Sequence, residues 1–169
     1  LERRHSQNLR MNVNFLGEAV LGEAESSKRY EQYFNALAHP HIDVVSVKIS
    51  TIYSQISAVA ARHTVDVLSE RLERLFREAA KYEFVRPDGS LSPKFVYLDM
   101  EEYRDMYLTS EAFMRTLDMP GMENISAGIV LQAYIPDSHL TQQRIFEWAR
   151  KRAAAGGAPI TLRIVKGAN

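Results

Sequence analysis

Five short apolar runs, rich in β-branched residues, recur along the chain, and a stretch of helical periodicity separates each from the next. The runs are "VNFLGEAV" (Val13 to Val20), "DVVSVKIS" (Asp43 to Ser50), "KFVYLD" (Lys94 to Asp99), "AGIVLQAYI" (Ala127 to Ile135) and "ITLRIVKG" (Ile160 to Gly167). Between them lie "KRYEQYFNALAH", "TVDVLSERLERLFREAAKYE", "EEYRDMYLTSEAFMRTL" and "TQQRIFEWARKRAAA". In the second of these, Val65, Leu68, Leu72, Leu75, Phe76 and Ala79 form one apolar stripe, with Arg and Glu opposite. Near-continuous apolar strands alternating with amphipathic helices predict a parallel α/β sheet, covered on both faces. An open doubly wound sheet and a (β/α)8 barrel both satisfy that pattern, and five strands are too few to close the barrel.

Composition narrows the function classes. With 169 residues the chain is long enough for one domain with a sizeable core, and no linker marks an internal boundary. Lys plus Arg equal Asp plus Glu at 21 each, which argues against nucleic-acid binding through net positive charge. There is no cysteine, hence no disulfide framework and no thiolate metal site. No apolar run can span a bilayer, and no signal peptide is visible. The histidines His5, His39, His41, His63 and His139 show no zinc spacing. No G-x-G-x-x-G follows a strand, and neither a Walker A loop nor a G-x-S-x-G elbow is present. Leu1 to Met11 reads as a polar lead-in, with residues 1–12 preceding the domain proper. "RPDGSLSP" is turn chemistry, and Gly156, Gly157 and Pro159 stop the fourth helix.

Polar side chains interrupt the C-terminal end of every strand: Glu18, Lys48, Asp99, Gln132, then Arg163 and Lys166. A charge inside an apolar run needs a partner or a ligand, because leaving it buried and unpaired is costly. Ligands of parallel α/β folds bind at the C-terminal strand ends. The recurrence on all five strands points to one shared site. Structural ion pairs capping the sheet are the alternative reading.

The set "NFLGEA", "SVKIS", "YLDMEEY", "IVLQAY" and "LRIVKGAN" resembles proline dehydrogenase, and most closely the proline dehydrogenase domain of bifunctional proline utilisation proteins. Five motifs in order, one per strand, carry the resemblance from about Val13 to Asn169. It implies a distorted (β/α)8 barrel binding FAD, of which residues 13–169 supply strands one to five and helices one to four. Carried over by motif, Lys48 matches the lysine near the proline carboxylate and Asp99 the active-site aspartate. Met100 matches a residue touching the flavin, and Gln132 a glutamine hydrogen-bonded to its ring. Arg163 matches the arginine beside the flavin's reactive edge. Val165, Lys166, Gly167 and Ala168 match the segment lining FAD, and Gly167 is expected to let the backbone approach it. Glu18 matches a glutamate able to pair with an arginine from the far side of the barrel. Asn14 and Asn169 depart from the Asp and Tyr of many members.

The resemblance implies oxidation of L-proline to Δ1-pyrroline-5-carboxylate, with electrons passing to a quinone. It also implies a bacterial, cytoplasmic protein, peripheral on the inner face of the membrane, and a second, NAD-dependent dehydrogenase domain outside this chain. A start at Leu1 and a stop after "TLRIVKGAN" read as the ends of a piece of a larger enzyme. Such a piece is expected to be a homo-oligomer, without tightly bound FAD and inactive. Other readings remain: a barrel enzyme with an anionic substrate, such as an aldolase using Lys48 as a Schiff base, or a non-catalytic half-barrel.

Overall fold

The computed structural model describes residues 1–7, 9–15 and 22–167. Within them the order is α1 (Glu2–Ser6), β1 (Asn12–Asn14), α2 (Glu23–Ala38), β2 (Val44–Lys48), α3 (Ile49–Ile52), α4 (Ala61–Ala79), β3 (Glu83–Val85), β4 (Leu91–Pro93), β5 (Phe95–Asp99), a 3-10 turn (Tyr103–Asp105), α5 (Met106–Leu117), β6 (Gly128–Gln132), α6 (Ser138–Ala154) and β7 (Thr161–Val165). Five strands form one sheet in the order β1-β2-β5-β6-β7, and every neighbouring pair is parallel.

That order settles the choice between the two architectures. A doubly wound sheet reverses its strand order at a switch point, which sends helices to both faces. Here each strand lies beside its sequence neighbour with no reversal. Crossovers of one hand then deposit every helix on the same side. The burial pattern agrees. Val45, Val47, Val96, Leu98, Ile129 and Leu131 share a core with Tyr33 and Leu37 of α2, Leu68, Leu72 and Leu75 of α4, Phe113 of α5 and Ile145 of α6. The alternate strand residues point the other way, and Asn12, Asn14 and Thr161 among them are exposed. The sheet is therefore an arc of a barrel wall, with helices outside. On the inner face Ser46, Val130 and Gln132 are nonetheless buried.

Local chemistry explains the element ends. The stripe read from the sequence is the buried face of α4, each fully buried leucine contributing roughly 1.5–3 kcal/mol. That helix ends at Ala79, short of the expected Glu83, and the chain turns into a β3–β4 hairpin. Asp88 Oδ1 accepts the Ser90 N–H at 2.9 Å, and Gly89 takes φ +83°. Helix α6 closes in a Schellman motif: Gly157 N–H donates to Arg152 O at 2.9 Å, Gly156 N–H to Ala153 O at 3.0 Å, and Gly156 has φ +84°. No glycine ends α2. The buried Lys94 ammonium caps it instead, donating to Leu37 O at 2.7 Å and His39 O at 2.6 Å. The strands run shorter than read: β2 gives way to α3 at Ile49, and β6 ends at Gln132 rather than Ile135.

Candidate active site

Strand register decides which side chains share the inner face. The pairs Ser46↔Tyr97, Lys48↔Asp99, Tyr97↔Gly128, Val130↔Arg163 and Gln132↔Val165 each lie side by side. With period-two alternation, Asn14, Lys48, Asp99, Gln132 and Arg163 all belong to the inner face, toward its C-terminal end. Four of the residues singled out from sequence are thus brought together.

Asp99 is the hub. Arg163 donates to its Oδ1 at 2.6 Å, and Asn14 Nδ2 donates to its Oδ2 at 3.2 Å. The Asp99 side chain keeps 13% of its area exposed and the Arg163 side chain 37%, so the carboxylate is the more deeply buried partner. Burial pushes the Asp99 carboxyl above its ordinary value; Arg163 and Lys48 pull it back, and Glu101 adds to the rise. The Arg163 guanidinium carbon lies 5.0 Å from the centre of the Tyr97 ring.

A second hub was not read from the sequence. Glu101 pairs with Lys48 Nζ at 3.3 Å, accepts from the Ser50 hydroxyl, and through its backbone oxygen accepts from Gln132 Nε2 at 2.9 Å. The signal was present: Glu101 stands two residues after Asp99 in "YLDMEEY". Thr51 Oγ1 bonds the Lys48 carbonyl at 2.7 Å and the Tyr33 hydroxyl at 2.8 Å, which fixes the backbone where β2 turns into α3.

Other expectations fare differently. Met100 is 7% exposed and packs into the core. Gly167 has φ +99°, but the space beside it is filled: an added Cβ would lie 2.7 Å from Tyr134 Cδ1. Its missing side chain therefore makes room for the Tyr134 ring. Val165 is half-buried and Lys166 exposed. Glu18 and Ala168 lie outside the described residues. No group of three metal-ligating side chains that could hold a metal occurs among the described residues.

Of six buried side-chain polar atoms without a hydrogen-bond partner among the described residues, two lie at this edge: Gln132 Oε1, an acceptor, and Arg163 Nε, a donor. Native interiors rarely leave such atoms unpaired. A planar ligand carrying both donors and acceptors, such as a flavin ring, fits that need.

A polar cluster at the C-terminal edge of a single-wound parallel arc, with helices on one side, defines a (β/α) barrel enzyme wall. The chain belongs to the proline dehydrogenase family, whose model matches residues 1–169. Proline utilization A from Corynebacterium freiburgense is 40% identical, with a TM-score of 0.86, over 99% of this chain and 17% of that one. The Bdellovibrio bacteriovorus protein, solved after inactivation by N-propargylglycine, is 30% identical with a TM-score of 0.78, over 98% of this chain and 18% of that one. Proline utilization A from Bradyrhizobium japonicum, at 22% identity and a TM-score of 0.74, shares the fold over 94% of this chain and 16% of that one. This chain spans under a fifth of the length of each of these proteins. No curated protein matches it significantly.

Proposed function

We propose that this chain forms the first five strands of an FAD-dependent proline dehydrogenase barrel, in a protein that oxidises L-proline to Δ1-pyrroline-5-carboxylate during proline breakdown to glutamate. Family membership supports the reading. The observation that carries it here is the pair of unpartnered buried atoms, Gln132 Oε1 and Arg163 Nε, on the same face as Lys48. Inactivation of the B. bacteriovorus relative by N-propargylglycine, an N-substituted amino acid, is in keeping with a site for a small secondary amine bearing a carboxylate.

FAD, when bound, supplies the two-electron acceptor. The chain's residues supply the rest. Gln132 and Arg163 would hold the ring, with Val165 to Ala168 along the strand end. Lys48, freed from Glu101, would hold the substrate carboxylate. Arg163 would place a fixed cation beside the acceptor, where negative charge builds as hydride leaves C5 of proline. The proline nitrogen lone pair forms the C=N bond as that hydride leaves, and the N–H proton of the resulting iminium passes to water. Asp99 holds Arg163 in place.

The wider reading is that electrons pass to a quinone, in a cytoplasmic protein peripheral on the inner face of the membrane. An NAD-dependent domain outside this chain would oxidise the product. Among the described residues β1 and β7 are the outer strands of the sheet, and we expect the chain by itself to self-associate, to hold FAD weakly and to lack activity. The test is a flavin absorbance scan and proline-dependent dye reduction on the full-length protein. A yellow protein reducing dye only with proline is expected. A colourless protein, or dye reduction indifferent to proline, refutes the reading.

A further inference from the structure

Among the described residues the Arg163 guanidinium makes one hydrogen bond, from Nη2 to Asp99, and its buried Nε makes none. One bond fixes a distance but leaves the plane of the group free to turn. The guanidinium also lies over the Tyr97 ring, 5.0 Å from its centre, two residues before Asp99 on β5 and on the same face. That ring is itself held. It meets the Phe95 ring at 5.0 Å and 62°, and it crosses onto the neighbouring strand over Gly128. A Cβ on Gly128 would stand 2.3 Å from Tyr97 Cδ1 and 2.4 Å from Cε1. Any side chain there would evict the ring. Gly128 has no left-handed backbone angle among the positive-φ glycines, so turning the chain is not its role; making room is.

We propose that Tyr97, seated on Gly128, is a positioning residue that sets the plane of the Arg163 guanidinium and so holds it on Asp99. This rests on the reading of Arg163 as the cation beside the flavin. The face of an aromatic ring attracts a cation within about 6 Å of its centre, most strongly where water is partly excluded. The ring face does this work, the guanidinium lying over it.

The test uses four variants of the full-length protein: Tyr97→Phe, Tyr97→Leu, Gly128→Ala, and Tyr97→Leu with Gly128→Ala. The first readout is the pH titration of the Asp99 carboxyl by isotope-edited infrared spectroscopy, assigned by its disappearance in Asp99→Asn. Among the described residues the charged neighbours of that carboxyl are Arg163, Lys48 and Glu101, with Asn14 and Ser46 as neutral donors. Releasing Arg163 while the others stay should raise the proton affinity of Asp99. We expect at least about a threefold rise in Tyr97→Leu and Gly128→Ala, on the scale of one cation–π contact. Tyr97→Phe should match the parent, and the double variant should be no worse than either single one, because both act through one ring. The second readout is the rate of flavin reduction by proline, which should fall with the titration shift and recover in Tyr97→Phe. An Asp99 titration unmoved in Tyr97→Leu overturns the proposal. A shifted titration with an unchanged reduction rate upholds Tyr97 as the platform and refutes instead the catalytic reading of Arg163.

Discussion

Replacing Arg152 by methionine should remove the main tie between α6 and the segment that leads into β6. The side chain is 9% exposed. Its guanidinium donates to five backbone carbonyls: Leu117, Met122 at 2.7 Å, Glu123 at 3.0 Å, Ile125 at 3.2 Å and, from Nε, Ala158 at 3.2 Å. No carboxylate bonds it, and burial pulls its pKa below the ordinary value, with Asp118 and Glu123 opposing. Methionine keeps much of the packing stem and none of the donors. Glu123 is exposed and Ala158 half-buried, so water can replace the arginine at their carbonyls. Leu117 is 1% exposed and its carbonyl is left without a donor, whereas the carbonyl of Met122, 0% exposed, keeps the Ile125 N–H at 3.1 Å. The orphan at Leu117 costs roughly 1–3 kcal/mol and the donor lost at Met122 adds to it, partly offset by no longer burying a charge, for a net loss of about 2 kcal/mol. With a urea m-value of about 2 kcal/mol/M, the unfolding midpoint should drop by about 1 M. Parent and variant must be compared at one protein concentration, because self-association would add to both. Arg152→Lys should fall between them, since one ammonium cannot reach five acceptors. Gly157→Ala should also destabilise: its Cβ would lie 2.7 Å from Arg152 Cγ and 3.0 Å from Arg152 O. A drop below about 0.5 M in Arg152→Met, equivalent to about 1 kcal/mol, would show that these carbonyls find other partners and refute the reasoning.

Three further outcomes are expected. In the full-length protein, Arg163→Met should leave the fold intact and slow single-turnover flavin reduction by proline at least about tenfold, the scale of losing one charge-stabilising donor; an unchanged rate removes Arg163 from the chemistry. Lys48→Ala should weaken binding of proline and of carboxylate analogues with flavin content unchanged; loss of flavin with unchanged analogue affinity would assign Lys48 to the cofactor or to its pair with Glu101. Because the folded Asp99 carboxyl is raised above 3.8, ionising it costs stability above the folded value and nothing below 3.8. Asp99→Asn, whose amide oxygen can still accept from Arg163, should therefore unfold at higher urea at pH 7, with an advantage that shrinks as pH falls toward 3.8; an advantage that grows on acidification would reverse the sign assigned here.

What was legible from sequence follows from what is local. Strand runs and helix stripes depend on side chains two, three or four residues apart, and α4 and β5 came out close to their observed extents. The side of the sheet on which the helices lie depends on strand order, which neighbouring residues do not encode; a barrel wall and a doubly wound sheet share the same local pattern. The β3–β4 hairpin was read only as a turn. Its flanks, Glu83–Val85 and Leu91–Pro93, are three residues each and leave Val85 65% and Leu91 62% exposed, so they lack the buried alternation that marks a strand. Lys94 as the cap of α2, and Arg152 as the tie for the α5–β6 segment, act across 57 and 35 residues at their farthest, beyond any helical or strand period.

The site shows the same division between face and partner. Alternation along each strand was enough to put Lys48, Asp99, Gln132 and Arg163 on one face once the strands were parallel and in register. It was not enough to pair them. Lys48 lies directly opposite Asp99 in the β2–β5 register, yet its ion pair runs to Glu101. The reason is occupancy: Arg163, from β7, holds one Asp99 oxygen, and Asn14, from β1, holds the other. With aspartate in place of Asn14, a second carboxylate would face that oxygen, one of the two would need a proton, and Lys48 would have a reason to turn inward. The asparagine thus leaves Lys48 on Glu101 at the rim, where a carboxylate substrate can compete for it. Asn14→Asp should accordingly draw Lys48 toward Asp99 and weaken binding of carboxylate analogues; an unchanged analogue affinity at pH 7 would show that Asn14 has no part in where Lys48 stands.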